Sequence, residues 1–227
     1  MAEASKELEA LYPFLSGKQK DAGQETANLL ESVRQKAAES VAQKQKFFAA
    51  NAEALVSAAR AIAGVYRASG RMFAMGNGGS SCDAAHFAVE FQHPVTTGRP
   101  ALPAINLVLD TAMISAVAND VGFEHIFVRQ IEAMANANDG LIGFSTSGNS
   151  KNLLAGFRKA KELGLVTFGL TGGDGGEMAS SGLVDHCLIV STDSIHRIQE
   201  VHVATYHILW DLVHTLLADY RGKCGRS

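Results

Sequence analysis

Cysteine is scarce in this chain of 227 residues: Cys82, Cys187 and Cys224 are the three present. They are far apart and odd in number, so they suggest neither a disulfide framework nor a metal pair, and they fit a reducing cytoplasm. Charge of one sign is also scarce. A formal net charge of -3 argues against general nucleic-acid binding and against an anionic membrane surface. No apolar run approaches the roughly 20 residues that span a bilayer. Residues 1–15 carry Glu3, Glu7 and Glu9 and lack a basic start followed by an apolar run, which is not the pattern of a signal peptide. Proline is absent between residues 23 and 69. What remains is hydrophobic: 47% apolar against 19% charged residues allows a sizeable core and argues against global disorder.

The proline-free stretch is rich in Ala, Gln and Glu, with Leu29, Val33, Ala37 and Val41 recurring every four residues. One or two long amphipathic helices are expected there. Before it, Leu8, Leu11, Phe14 and Leu15 suit a short docking helix or an arm. Beyond it, apolar runs and helical patterns alternate. Strands are expected at 71–75, 103–108, 141–144, 166–170 and 187–190. Helices are expected at 112–118, 124–134, 152–163 and 197–220. This alternation predicts an α/β fold: a five-stranded parallel sheet flanked by helices on both faces, with an N-terminal helical extension. Ligands in such sheets bind beyond the carboxyl ends of the strands.

The stretch from Met75 to Glu90 lies at one of those ends. Gly76, Gly78 and Gly79 make a turn without side chains, and Ser80 suits a helix N-cap. A strand, a glycine turn and a helix N-terminus together favour an anion. His86 and Glu90 follow four apart, on one helix face, where they suit proton transfer or metal ligation. The same residues also suit an ordinary strand–turn–helix connection with a buried histidine.

Ser145, Thr146, Ser147 and Ser150 put four hydroxyls within six residues, between a strand and a helix. Hydroxyl donors, Gly148 and the helix dipole suit a phosphate. No lysine of the nucleotide P-loop type is present, so a phosphate monoester fits better than a triphosphate. The alternative is a serine-rich turn with Ser150 as an N-cap. The glycine-rich run 171–176 lacks a dense donor set and reads as a turn.

In the last helix, Ile198, Val201, Ile208, Leu212 and Leu216 form one apolar stripe, while Val203, His207 and Trp210 lie nearly opposite. A helix apolar on two sides is buried on two sides, so His207 sits in a packed or interfacial setting. Gln199 and His207 are eight apart, about 12 Å along an ideal helix axis. They meet one ligand only by reaching inward together, or by coming from different chains. His202 and His214 read as structural.

Several blocks together resemble the phosphoheptose isomerases, which are sugar-isomerase (SIS) domain proteins. They are Gly76-Asn77-Gly78-Gly79-Ser80, the run from Cys82 to Glu90, Ala118-Asn119-Asp120 with Gly122-Phe123, the serine loop 145–150, Leu170-Thr171-Gly172, Asp174-Gly175-Gly176, and Arg197-Ile198-Gln199-Glu200 with His202. The resemblance covers roughly residues 25–220. It implies a flavodoxin-like three-layer sandwich. It divides the chain into an arm (residues 1–22), one SIS domain with its N-terminal helices (23–222) and a tail (223–227).

The implied activity converts sedoheptulose 7-phosphate to D-glycero-D-manno-heptose 7-phosphate by enediol proton transfer, in the cytoplasm, for heptose precursors of cell-surface glycans. The resemblance assigns the phosphate to Ser145, Thr146, Ser147 and Ser150, with help from Asn77, Gly78, Gly79 and Ser80. It assigns sugar contacts to Asn119, Asp120 and Gln199, and proton transfer to Glu90 and His207. It also implies one Zn²⁺ per subunit on His86, Glu90, Gln199 and His207, and a homotetramer with sites between subunits, without nucleic-acid or membrane partners. A histidine lone pair on zinc cannot also accept a proton, so the metal role and the acid–base role of His207 are alternatives. Two departures from the family pattern, His196 and the run Phe91-Gln92-His93-Pro94, bear on which sugar is taken. The competing function is a non-catalytic relative that binds phosphosugars or a replication initiator. Such a binder has no need of the His86, Glu90 and His207 set.

Overall fold

The computed structural model describes residues 22–218. The expected arm, apart from Ala22, and the tail at 223–227 lie outside the described residues. The chain divides into two units, residues 1–41 and 42–227. Helix α1 (Ala22–Arg67) is a single helix of 46 residues, as the lack of proline permits. In the first unit its side chains Leu29, Leu30, Val33 and Val41 are exposed.

The second unit is built on five strands: β1 (Met72–Gly76), β2 (Ala104–Asn106), β3 (Gly140–Phe144), β4 (Val166–Gly172) and β5 (His186–Val190). All pair in parallel, in the order β2-β1-β3-β4-β5. Strand side chains alternate between two cores. Ile142, Phe144, Phe168 and Leu170 join α1, α2 (Gly79–Gln92) and α7 (Ile195–Leu216) on one face. Phe73, Met75 and Leu141 join α3 (Thr111–Asp120), α4 (Val128–Met134), α5 (Lys151–Glu162) and α6 (Gly176–Ser180) on the other. The chain leaves β1 toward one sheet edge and returns at β3 on its other side. The loops after β1 and β3 therefore flank the crevice where open parallel sheets bind ligands.

Helices α2 and α7 run parallel and in register. Tyr206 bonds His86, and Trp210 bonds Glu90, each pair 120 positions apart. Gln199 lies against Gly79 at the same offset.

Several boundaries differ from the pattern reading. The helix expected at 124–134 is a 3₁₀ turn (Phe123–His125) followed by α4. Strand β2 keeps three of the six expected residues, since Val108 N–H already turns back to Asn106 Oδ1 at 3.0 Å. Helix α2 begins at Gly79, with Gly78 as the N-cap at φ 53° and no side-chain cap, so Ser80 is not the N-cap. Instead Ser80 is buried in the first turn. In α7 the buried face runs through Ile198, Val201, Thr205, Leu209 and Val213, while Ile208 is 38% exposed. Of the expected apolar stripe, Ile198 and Val201 are buried and Leu212 and Leu216 pack against the core, while Ile208 departs from it and Thr205 and Tyr206 are buried instead.

Candidate active site

The carboxyl end of β1 leads into the glycine turn, and α2 then carries His86 and Glu90 one turn apart. Their side chains meet: His86 Nε2 lies 3.0 Å from Glu90 Oε1. Helix α7 brings His207 to the same place, with its Nε2 4.0 Å from the same carboxylate oxygen. The two imidazoles are edge to face at 5.0 Å between centroids. One donor atom from each of His86, Glu90 and His207 falls within 4.8 Å of the others, which suits a single cation. Glu90 is held from behind, where Trp210 Nε1–H donates to its backbone carbonyl at 2.8 Å.

Gln199 is level with Gly79, N-terminal to this trio. A side chain at position 79 would strike the Gln199 amide, so glycine there leaves room for it. Side chains lean toward the N-terminus of their helix, so His86 and His207 lean toward the end that Gln199 occupies.

Two residues beside the trio went unnoticed in the sequence. Tyr206 places its hydroxyl 2.7 Å from His86 Nδ1. Burial, and then the nearby carboxylates of Asp83 and Glu90, push its phenol up from the ordinary range. Asp83 is buried, and its Oδ2 has no hydrogen-bond partner among the described residues. Burial raises its carboxyl to about 6, against a lowering influence of His86. Tyr206 meets His86 only through the α2–α7 register, which the sequence does not display. Nothing in the sequence marks Asp83.

The serine loop follows β3 at the carboxyl end of the sheet. Ser145 is buried; its hydroxyl accepts from Gly148 N–H at 3.0 Å and lies 3.4 Å from the Ser150 hydroxyl. Ser150 is the N-cap residue of α5, but its hydroxyl makes no capping hydrogen bond. Ser147 is exposed and accepts from Asn149 N–H at 3.3 Å. Gly148 has φ 69°, and a Cβ there would collide with the Gly175 carbonyl, so the loop requires glycine at that position. Asn77 and Asn152 exchange amide hydrogen bonds of 2.9 and 2.8 Å, which lock the glycine turn to the start of α5.

Two cavities of about 480 Å³ each adjoin this loop. One is lined by Thr146, Ser147, Gly173, Asp174, Thr192 and Ile198. The run 171–176 makes a turn, and Gly172, Gly173 and Asp174 of it also line this cavity. Asp193 lines the same cavity and is the acidic residue nearest in sequence to His196. The other cavity is lined by Asn77, Phe123, Ser150 and Asn152 among others. Asn119 and Asp120 are exposed, bonded to each other at 2.8 Å, and stand just before Gly122 and Phe123 of that wall. Gly78 and Gly79 supply the turn itself.

His202 is fully buried. Its ring lies 3.3 Å from the Thr171 carbonyl, and its Nδ1 has no partner among the described residues. Burial pulls its imidazole down to about 4, partly opposed by that hydrogen bond. His202 is thus a neutral core residue that ties α7 to β4. His214 is also buried, between the rings of Phe91 and Trp210.

Several known proteins are similar to this chain. The SIS domain family model matches residues 35–172. A phosphoheptose isomerase of Helicobacter pylori (strain P12) is 49% identical over 144 residues, 63% of this chain and 74% of that protein. One of Solidesulfovibrio magneticus is 40% identical over 186 residues, 82% of this chain and 90% of that protein. The solved structure of a phosphoheptose isomerase from Neisseria gonorrhoeae superposes with a TM-score of 0.77 at 36% identity, covering 82% of this chain and 99% of that one. The family match spans β1 to β4, the glycine turn and the serine loop, and the chain belongs to the SIS-domain family and, within it, to the phosphoheptose isomerases.

Proposed function

We propose that this chain isomerises sedoheptulose 7-phosphate to D-glycero-D-manno-heptose 7-phosphate. The observation that carries the reading is the approach of Glu90 and His207 to 4.0 Å. The phosphate sits on Ser145, Thr146, Ser147 and Ser150, supported by the turn from Asn77 to Ser80. Asn119, Asp120 and Gln199 contact the sugar.

Glu90 takes a proton from C1 of the ketose while His207 gives one to the carbonyl oxygen at C2, forming an enediol. Glu90 then returns its proton to C2, and the O1 hydroxyl proton passes to His207, which leaves the aldose. Each such transfer contributes roughly 10²–10⁴ in rate. His86, Glu90, Gln199 and His207 would hold a Zn²⁺ ion, whose bound form polarises a carbonyl. In that case His207 acts as a ligand and does not also carry the proton.

A homotetramer with sites between subunits accompanies this reading, supported by the exposed apolar side chains Leu29, Val33 and Val41 on α1. A cytoplasmic location is supported by the free thiols of Cys82 and Cys187. Among the described residues no helix is long and apolar enough to cross a membrane. A non-catalytic phosphosugar binder would need the serine loop but not the carboxylate of Glu90 and the imidazole of His207.

The test is turnover of sedoheptulose 7-phosphate by the purified chain, followed as heptose 7-phosphate formed, with added Zn²⁺ and with a chelator. Product formation that falls with the chelator supports both the activity and the metal. Product unaffected by the chelator supports acid–base transfer by His207. No product, with phosphosugar still bound, overturns the isomerase reading.

A further inference from the structure

Both ring nitrogens of His86 are committed. Nε2 faces Glu90 at 3.0 Å and Nδ1 faces the Tyr206 hydroxyl at 2.7 Å. Tyr206 itself has little freedom. It is 1% exposed, edge-on to Phe144 at 5.9 Å, and fixed by the in-register packing of α7 along α2. A phenol donates or accepts equally well. When Nε2–H donates to the Glu90 carboxylate, Tyr206 donates to the Nδ1 lone pair. When Nε2 offers its lone pair to a cation, the proton resides on Nδ1 and Tyr206 accepts it. In both states the ring keeps one orientation. Without the hydroxyl, a half-turn about the Cβ–Cγ bond would exchange Nε2 with a carbon and turn it away from Glu90.

We propose that Tyr206 is a positioning residue of this site, whose hydroxyl pins His86 so that Nε2 addresses Glu90 and the cation position shared with His207. The inference rests on reading that trio as the reacting site. Partners of metal-bound imidazoles commonly act in this way, fixing tautomer and ring orientation. Tyr206 does not reach the substrate in this account; it acts through His86.

The experiment compares the full-length chain with its Tyr206→Phe variant in three measurements. Calorimetric titration with Zn²⁺ alone should show an affinity weakened by about 10–100-fold. Turnover of sedoheptulose 7-phosphate should show a lower kcat with KM changed by less than about twofold, since the serine loop is untouched. Ring ¹⁵N resonances of His86, assigned against a His86→Gln spectrum, should show one hydrogen-bonded tautomer in the wild type and an averaged ring in the variant. Zn²⁺ affinity and kcat both within about twofold of wild type would overturn the proposal. Should the variant not fold, an averaged, water-exposed His86 ring in the wild-type spectrum would overturn it equally. A wild type that turns nothing over sinks the isomerase reading, while the Zn²⁺ and ¹⁵N measurements still decide the role of Tyr206.

Discussion

Helices α2 and α7 each carry two groups of similar chemistry with opposite fates. α2 buries Asp83 and α7 buries His202. Glu90 of α2 and His207 of α7 are more open, with side chains 19% and 41% exposed. An imidazole and a carboxylate therefore appear twice on the same helix pair. Desolvation shifts the packed pair toward neutrality, with Asp83 raised to about 6 and His202 lowered to about 4. The open pair keeps access to solvent and to a ligand. Residue type alone did not separate structural from chemical roles. On α7 the direction from the helix axis did, since His202 and His207 point about 140° apart; on α2, Asp83 and Glu90 point within about 20° of each other, and depth of burial separates them.

The largest expected effect tests the open side. Glu90→Gln keeps the shape and removes the base, so kcat should fall by roughly 10²–10⁴ with phosphosugar affinity nearly unchanged. Steady-state kinetics and a binding isotherm on the same preparation check this. Retained turnover would move the base elsewhere and dissolve the contrast between Glu90 and Asp83.

The packed side is tested by pH. The folded chain keeps His202 neutral down to about pH 4, whereas the same imidazole in the unfolded chain takes up a proton below about 6.5. The unfolded state thus binds more protons in that window, and stability is lost as pH falls from about 6.5 to about 4. At 1.36 kcal/mol per unit, the loss from this group is about 3 kcal/mol. Urea unfolding of wild type and His202→Gln at several pH values should give curves that converge as pH falls. Parallel curves would mean that His202 titrates alike in both states.

The smallest effect sharpens the contrast between chemistry and binding. Ser147→Ala removes one exposed hydroxyl from the phosphate loop. A hydrogen bond to a charged group of about 1.4 kcal/mol corresponds to about tenfold in phosphosugar affinity, with kcat retained. Isothermal titration with the phosphosugar measures it, and unchanged affinity would remove Ser147 from the phosphate site.

Much of this was legible along the chain. Apolar runs of four to six residues between helical stretches are enough for a parallel sheet, because a strand buried on both faces shows as a continuous apolar run. The spacing of His86 and Glu90, and four hydroxyls beside Gly148, are local patterns, so one helix turn or one loop displays them whole. The failures share a cause. Ser80 as a cap, Ile208 as a core residue and the run 171–176 as a mere turn were judged from neighbours in sequence, whereas Gly78, Thr205 and the Ser147 cavity answer to neighbours in space.

By itself, then, the sequence determined the strand and helix alternation, the glycine turn, the hydroxyl loop and the residue types at the site. These follow from backbone conformational limits and periodicity, which act over a few residues. The tertiary structure alone decided which residues meet. The 120-residue offset between α2 and α7 sets Tyr206 on His86, Trp210 on Glu90 and His207 beside both. That offset is fixed by packing both helices against the same sheet face, a sum of many weak contacts that no short stretch of sequence contains.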